Sequence, residues 1–271
     1  MYSGTTFRRN SGRIVGVHQR IDRAARRNLN ALISKSLKFP GIRNILHFEG
    51  KNGSDGLNLK GSSNDIPWHF IDPVNADDRA LLAIINDHIF NLVESLKCQD
   101  GIKAAFDAAW LAHAITDGLT PAHHYPLDDK IKELFGKSHS ERHSLSDKNI
   151  IKGKNRRDTI AKNWEYWGAG GVFTAHLMYE MGVASAIATE KFGLSIINQA
   201  EIDRMMDVGF EVIYIESVQK IHSLNMYTNF SKTGWTVNLA TETKQILVPE
   251  IIKVVSLAWY YAAILAKGNK L

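Results

Sequence analysis

Apolar residues that recur at the spacing of an α-helix are the feature of this sequence that most constrains its fold. From Val17 to Leu37, valine, isoleucine, leucine and alanine return every three or four residues. Comparable helical segments are Asn75 to Leu96, Gly101 to Asp117, Asn163 to Lys191, Gln199 to Leu224 and Pro249 to Lys267. Such spacing is typical of helices with one buried face. Because no β-hairpin pattern or sequence repeat interrupts them, the sequence predicts an all-α, multi-helix bundle.

Two long segments lack this spacing and are predicted to be loops. Residues 38–74 are rich in glycine, serine, asparagine and proline, and residues 119–157 are irregular and basic, with one short helix near Lys130. Long ordered loops in compact domains are usually functional. Residues 1–15 are polar and expected to be loose, whereas residues 16–271 are expected to form one domain.

Composition excludes some classes of protein. A single cysteine, Cys98, excludes an internal disulfide framework and favours a reducing compartment. No apolar run follows the early arginines, so we expect no secretory signal and a cytoplasmic protein. The most apolar stretch, Val254 to Ala266, is too short to span a bilayer, so we expect no transmembrane segment and a buried terminal helix. The net charge of +5 mildly favours a polyanionic partner.

Pairs of histidine and carboxylate residues are the main candidates for chemistry. His113 and Asp117 are four residues apart in a helical segment, as are His176 and Glu180, so each pair shares one helix face. His123 follows Asp117 by six residues, beyond the helix-ending Gly118 and Pro121. An isolated pair of this kind is more often a surface ion pair or a capped core histidine. Here both histidines have apolar neighbours, which suggests that they face inward and need partners such as a metal ion.

The first long loop and the first helix add further candidate ligands. His69 lies between two aromatic residues in Trp68-His-Phe-Ile-Asp-Pro73, and Asp55 precedes it by fourteen residues. Asp65 and Glu49 are alternatives to Asp55 as the loop carboxylate. Near the start of the chain, His18-Gln-Arg-Ile-Asp22 repeats the four-residue spacing.

Taken in order, these motifs resemble those of the superfamily of zinc-dependent phospholipases C and single-strand-specific zinc nucleases. The resemblance extends from His18 to Glu180 through short motifs, of which Asp117-x-x-x-Pro-x-His123 is the most specific. It implies an all-α fold around a cluster of two or three zinc ions. Carried over by residue, it implies one zinc site made by Asp55, His69, His113 and Asp117. It implies that Asp117 bridges to a second zinc, which His18 also binds, and that His123, His176 and Glu180 hold a third.

The chain departs from the family at two places. In the family an N-terminal tryptophan offers its amine and carbonyl to the zinc shared with the early histidine, whereas this chain begins Met-Tyr-Ser. The number of zinc ions and the ligands of that zinc are therefore left open. The interval from His123 to His176 is also longer than in the bacterial phospholipases and includes a basic stretch, residues 137–162, with His139 and His143 as alternative ligands.

The resemblance implies hydrolysis of phosphodiesters by a hydroxide that bridges two zinc ions, with Asp117 as the bridging ligand and Asp55 as the residue that orients the water or takes its proton. The substrate is expected to be a phospholipid headgroup or a single-stranded nucleic acid, and the basic stretch weakly favours a nuclease. A non-catalytic, zinc-stabilised binding protein is the alternative. His47, His88, His124 and His222 are interpreted as core or surface residues, with His124 the one most suited to touch substrate. The aromatic run Trp164, Tyr166 and Trp167 is interpreted as packing rather than base stacking.

Overall fold

The fold is known from a computed structural model, which describes residues 1, 16–33, 38–56, 69–124, 127–136, 150–193 and 197–268. The molecule is about 74% helical and no strand occurs within the described ranges, which confirms the all-α prediction. The helices are α1 (Val17–Leu32), α2 (Ile42–His47), α3 (Ala80–Lys97), α4 (Gly101–Gly118), α5 (Leu127–Phe135), α6 (Arg156–Trp167), α7 (Val172–Ala186), α8 (Gln199–Val208), α9 (Phe210–Ser223), α10 (Met226–Thr233), α11 (Val237–Glu242) and α12 (Val248–Ala266).

Glycines divide two of the segments that the sequence analysis treated as single helices. The predicted helix from Asn163 to Lys191 is instead α6 and α7, which are separated by residues 168–171. A Cβ atom on Gly171 would lie 2.5 Å from the carbonyl oxygen of Tyr166, so only glycine fits this tight break. The predicted helix from Gln199 to Leu224 is divided into α8 and α9 by Gly209, whose φ of 85° is a left-handed conformation.

Other boundaries also differ from prediction. Asn75 does not cap a helix: its side chain accepts a hydrogen bond from the amide of Asp77 within a turn, and α3 begins at Ala80. The first predicted loop contains α2 and a 3-10 turn at Gly50–Asn52. Helices α10 and α11 were not predicted, because their short segments bury few residues and carry little apolar periodicity.

The core is organised around the terminal helix, α12, and the central helix, α4. Helix α12 packs against α1, α3, α4 and α9, and α4 packs against α3 along its length. The indole of Trp259 on α12 is fully buried and donates a hydrogen bond of 2.9 Å to the carbonyl of Ala108 on α4. This arrangement encloses the second half of α4, which carries His113 and Asp117.

One helical segment of the described residues is long and apolar enough to cross a bilayer. This segment runs without a break from Val237 to Ala266 and consists of α11, a π-helical turn at Thr243–Leu247 and α12. The sequence analysis considered only Val254 to Ala266, so its argument that the helix is too short to span a bilayer is wrong. However, 72% of the most apolar window is buried inside the protein. The segment is accordingly the core helix that its apolar composition predicts.

Candidate metal centre

The candidate centre lies at the carboxyl end of α4. The helix begins with Asp100, whose side chain accepts hydrogen bonds from the amides of Ile102 and Lys103. Every residue from Leu111 to Gly118 is buried, so both His113 and Asp117 face the interior. The predicted inward orientation of these two side chains is confirmed.

A tight turn after α4 returns the chain toward Asp117. The amide of Thr120 donates a 2.8 Å hydrogen bond to the carbonyl of Asp117, and a 3-10 turn at Pro121–His123 follows. A Cβ atom on Gly118 would lie 1.9 Å from the hydroxyl of Tyr214, so α4 can end against α9 only with glycine there. The turn places His123 on the same side of the helix end as Asp117.

One oxygen of Asp117 faces the first group of candidate ligands. Its Oδ2 lies 3.2 Å from Nε2 of His113 and 3.9 Å from Nδ1 of His69. The Oδ1 of Asp55 lies 3.6 Å from the same His113 nitrogen. The four residues that the resemblance assigns to one zinc site are therefore close together.

The other oxygen of Asp117 faces a second group, which includes the first residue of the sequence. Nε2 of His18 lies 3.2 Å from Oδ1 of Asp117 and donates a 2.7 Å hydrogen bond to the carbonyl of Met1. The amino group of Met1 donates a short hydrogen bond to the same Oδ1. The backbone of Met1 thus lies where the resemblance places the amine and carbonyl of a tryptophan.

The third group joins α7 to the turn after α4. Oε1 of Glu180 lies 3.1 Å from Nε2 of His123 and 3.0 Å from Nε2 of His176. The opposite nitrogen of His123, Nδ1, donates a 2.9 Å hydrogen bond to the carbonyl of His69, so Nε2 presents a lone pair to the group. The amine of Met1 is 3.3 Å from Oε1 of Glu180 and links this group to the second.

Among the described residues, two of the buried imidazole nitrogens that face Asp117 have no hydrogen-bond partner, an arrangement that could hold a metal ion. Within the described part of the chain, both ring nitrogens of His113, Nδ1 of His18 and Nδ1 of His69 have no such partner. His113 stacks on His18 with ring centroids 4.2 Å apart, so two imidazoles meet beside one carboxylate. Unpartnered buried polar atoms are costly. A metal ion beside Asp117 would satisfy Nε2 of His113 and Nδ1 of His69, which face that carboxylate. Nδ1 of His18 and Nδ1 of His113 lie instead on the opposite sides of their rings.

Two carboxylates of the centre, Asp117 and Glu180, are in the ionised form that binds metal. Burial alone would raise the pKa of Asp117 and of Glu180, but the Met1 amine and the surrounding imidazoles outweigh it and hold both pKa values well below their usual range. Burial lowers the pKa of His69 and of His123, so both imidazoles are neutral near pH 7. These four groups therefore need no change of protonation to act as ligands.

Two other groups hold protons that a metal would displace. Burial lowers the pKa of His113, but Asp117 and Asp55 outweigh it and raise that pKa well above its ordinary value. Burial likewise opposes the charge on the Met1 amine, yet Asp117 and Glu180 raise its pKa to about 11. Metal binding at these positions would release protons.

Glu49 and Asp22 lie behind the centre rather than inside it. Oε1 of Glu49 lies 3.6 Å from Nδ1 of His113, on the side of the ring away from Asp117 and Asp55. Asp22 is buried, so it is not a surface residue, and its pKa is raised well above its ordinary value by burial and then by Glu49. Among the three loop carboxylates that were considered, Asp55 faces the ligand nitrogen of His113 and Glu49 the opposite one, whereas Asp65 lies outside the described residues.

The other predicted features have different outcomes. His124 is buried and its Nε2 donates a 2.8 Å hydrogen bond to the carbonyl of Gly118, which agrees with its interpretation as a core residue. His88 pairs with Asp107 and His47 is exposed, in agreement with their interpretation as core or surface residues. His139 and His143 lie outside the described residues.

Two features of the centre were missed by sequence reasoning. The contact of Met1 with Asp117 joins residues 116 positions apart and leaves no local pattern. The ring of Phe70, 5.0 Å from His123 and 6.2 Å from His176, forms a wall of the third group. Its position next to His69 in the loop motif was the available indication.

Comparisons of the chain with protein families, with curated proteins and with solved structures found no match.

Proposed function

We propose that this protein is a zinc-dependent hydrolase of phosphodiesters. One observation carries the proposal: the two carboxylate oxygens of Asp117 face two different sets of candidate ligands. Oδ2 faces His113 and His69, whereas Oδ1 faces His18 and Met1. A carboxylate whose two oxygens face different ligands is suited to bridge two adjacent cations. Paired metal ions are typical of sites that transfer phosphoryl groups.

The chemistry of the ligands supports zinc. Two compact clusters combine imidazole nitrogen with carboxylate oxygen: His18, His113 and Asp117, and His123, His176 and Glu180. The first cluster contains one imidazole from each side of Asp117, and in the second only His176 is partly exposed. Nitrogen and oxygen donors of this kind are the usual ligands of catalytic zinc, whereas magnesium and calcium prefer oxygen alone. The proposal is for two or three zinc ions.

Zinc bound at such a site lowers the pKa of a coordinated water toward neutral and neutralises charge on phosphate oxygens. The protein's own residues would supply the rest. Asp117 lies in the last turn of α4 and would bind a cation with each of its two carboxylate oxygens. Asp55 belongs to the first group and is partly exposed to solvent, so it could orient a water molecule or accept its proton.

A purely structural zinc cluster is the alternative, and the exposure of three ligands argues against it. The side chains of Asp55 and His69 remain 29% and 21% exposed, and His176 is also partly exposed. The remaining ligands, such as Asp117 and His18, are buried. Structural zinc sites are closed on all sides, whereas catalytic sites keep a position open to water and substrate.

We propose that the protein acts in the reducing cytoplasm. This rests on Cys98 alone, which is exposed and forms no disulfide.

Metal analysis combined with an activity assay tests the proposal. We expect the purified protein to carry at least about two zinc equivalents. It should hydrolyse bis(p-nitrophenyl) phosphate, lose this activity on chelation and regain it when zinc is restored. Phosphatidylcholine and a single-stranded oligonucleotide would then be compared as natural substrates. Absence of zinc after growth in zinc-replete medium, together with no uptake on reconstitution, would refute the cluster. Bound zinc without hydrolysis of any of the three would favour the structural alternative.

A further inference from the structure

Helix α6 exposes a row of large apolar side chains on one face. Ile160 and Trp164 are 62% and 71% exposed, and Trp167 is also exposed. They are separated by four and three residues, so they lie along one side of the helix. We call this row the α6 ridge (Ile160, Trp164 and Trp167). Tyr166 is buried and packs as the sequence interpretation expects, and Trp167 packs against Tyr166 and Phe173 with part of its ring exposed, whereas most of Trp164 is exposed.

The α6 ridge leads to the third ligand group. The ring of Trp167 lies 4.7 Å from that of Phe173, which is also exposed. Phe173 precedes His176 by three residues on α7, so the two side chains lie on neighbouring positions of one helix face. A molecule bound along the ridge would therefore have one end near the candidate metal centre.

Positive charge surrounds the beginning of the ridge. The segment 150–167 contains five basic and two acidic residues, a net charge of +3. Four of the basic side chains are exposed and form no ion pair within the part of the chain that the structure describes: Lys152, Lys154, Arg156 and Arg157. One of the two acidic residues, Glu165, is paired with Lys130 at 2.7 Å. No described carboxylate pairs with these four cations, which suits them to bind an external anion.

We propose that the α6 ridge docks this protein onto the surface of a bilayer that contains anionic phospholipid. Tryptophan is favoured at the boundary between lipid and water, and an apolar helix face beside lysine and arginine is typical of helices that lie in that boundary. Exposed basic residues add attraction to anionic headgroups. Docking stands on these surface features alone, whereas delivery of a lipid phosphodiester to the metal centre rests on the proposed function.

The same surface is less suited to single-stranded nucleic acid, which the basic composition had favoured. Ile160 has no aromatic face on which a base could stack. The ring of Trp167 meets those of Tyr166 and Phe173 at 85° and 56°, so these side chains do not form parallel platforms.

Sedimentation with vesicles tests the docking. The zinc-loaded protein should bind vesicles of phosphatidylcholine mixed with phosphatidylserine more tightly than vesicles of phosphatidylcholine alone. Ile160→Glu and Trp164→Glu should each weaken binding at least about tenfold, because each removes one large apolar side chain from the contact. Arg156→Glu should weaken binding to the anionic vesicles at least about fivefold and leave weak binding to the neutral ones unchanged.

Ile102→Glu is the matched control, because Ile102 is 76% exposed in the first turn of α4, at the end of that helix opposite the metal centre. It makes the same chemical change and should bind vesicles as the unaltered protein does. All four variants should hydrolyse bis(p-nitrophenyl) phosphate at the unaltered rate, since none changes a candidate ligand. Equal vesicle binding by Ile160→Glu, Trp164→Glu and Ile102→Glu would overturn the proposal. So would an absence of vesicle binding together with tight binding of a single-stranded oligonucleotide that Trp164→Glu abolishes. Vesicle binding by a protein without hydrolytic activity would support the docking surface and count against the proposed function only.

Discussion

The two aspartates of α4 have the same burial and different surroundings. Asp107 and Asp117 lie ten residues apart on one helix and are each 2% exposed. Around Asp107 the chain supplies a full positive charge: Nζ of Lys103 lies 3.0 Å away, and Nδ1 of His88 lies 3.2 Å away. Around Asp117, no lysine or arginine of the described residues forms an ion pair, and its neighbours are imidazoles and the Met1 amine.

The comparison shows how a structural carboxylate differs from a candidate ligand. A buried carboxylate needs a compensating cation, and Lys103 provides one for Asp107. The positive charge beside Asp117 is instead held by the Met1 amine and by His113, whose protons can leave. With those protons released, the amine and the imidazoles around Asp117 can donate lone pairs to a metal ion. The expected outcomes below test whether this difference is functional.

The largest expected effect separates the two aspartates directly. Asp117→Asn should reduce phosphodiester hydrolysis at least about 10³-fold, well beyond the roughly 10–100-fold typical of residues that only orient ligands. Because asparagine removes the negative charge between two cations, at least one zinc equivalent should be lost while the helical circular dichroism persists. Asp107→Asn is the matched control. It should keep its zinc and its activity within about threefold, and lose about 1–3 kcal/mol of unfolding free energy through the broken charged hydrogen bonds. Near-native activity and zinc content in Asp117→Asn would show that the bridging assignment is wrong.

Chelation should have the next largest effect. Metal that binds only the native state stabilises it by about 4 kcal/mol when its concentration is a thousand times the dissociation constant. We therefore expect the melting temperature to fall on chelation for the unaltered protein and for Asp107→Asn, and to fall less for Asp117→Asn. Differential scanning calorimetry measures all three. Identical curves with and without chelator would mean that the ligands around Asp117 are not assembled by metal.

We expect zinc binding at Asp117 to weaken as the pH falls. His113, whose pKa is raised, and the Met1 amine, whose pKa is about 11, are protonated at neutral pH in the metal-free protein. Zinc must displace these protons, so its apparent affinity should fall as the pH falls, by up to about tenfold per unit for each proton released. Asp117 and Glu180 contribute no such dependence near neutrality, because their pKa values are held well below the usual range. Calorimetric titration in buffers of different ionisation enthalpy counts the protons, and a count of zero would contradict this protonation scheme.

The smallest expected effects concern the residues behind the centre. Glu49→Gln should weaken zinc binding roughly 10–100-fold, because it removes the carboxylate that faces Nδ1 of His113. Asp22→Asn should change the affinity less than Glu49→Gln does, since burial and Glu49 raise the pKa of Asp22 and asparagine resembles its protonated form. Competition with a chromophoric chelator measures both. A larger loss in Asp22→Asn than in Glu49→Gln would show that Asp22, and not Glu49, positions His113.

The ligand pairs that could be predicted from the sequence are those whose residues are close together along one helix. His113 with Asp117 and His176 with Glu180 are helix neighbours, and helical spacing brings such pairs to one face whatever the rest of the fold does. The approach of His18 to Asp117 depends instead on how α1 packs against α4, and only the order of the motifs suggested it.

What could not be predicted depends on long-range packing or on backbone atoms. Met1 contributes its amine and carbonyl, so its side-chain type carried no information about the contact. The choice between Asp55 and Glu49 required the orientation of the His113 ring. The exposure of Trp164 and the burial of Tyr166, two residues apart, likewise follow from which face of α6 packs against α7.

The candidate metal centre lies at the carboxyl end of α4, where the helix dipole is negative. Peptide dipoles along a helix place about half a negative charge at its carboxyl end, and a basic side chain in the last turn usually offsets it. The last turn of α4 has no basic residue, and Asp117 adds a full negative charge there. In the metal-free protein the protonated Met1 amine offsets this negative charge, and a bound cation would take over that role when it displaces the proton. The carboxyl end of α4 therefore has a positive group that can be exchanged for a metal ion, whereas Asp107 has a permanent one in Lys103.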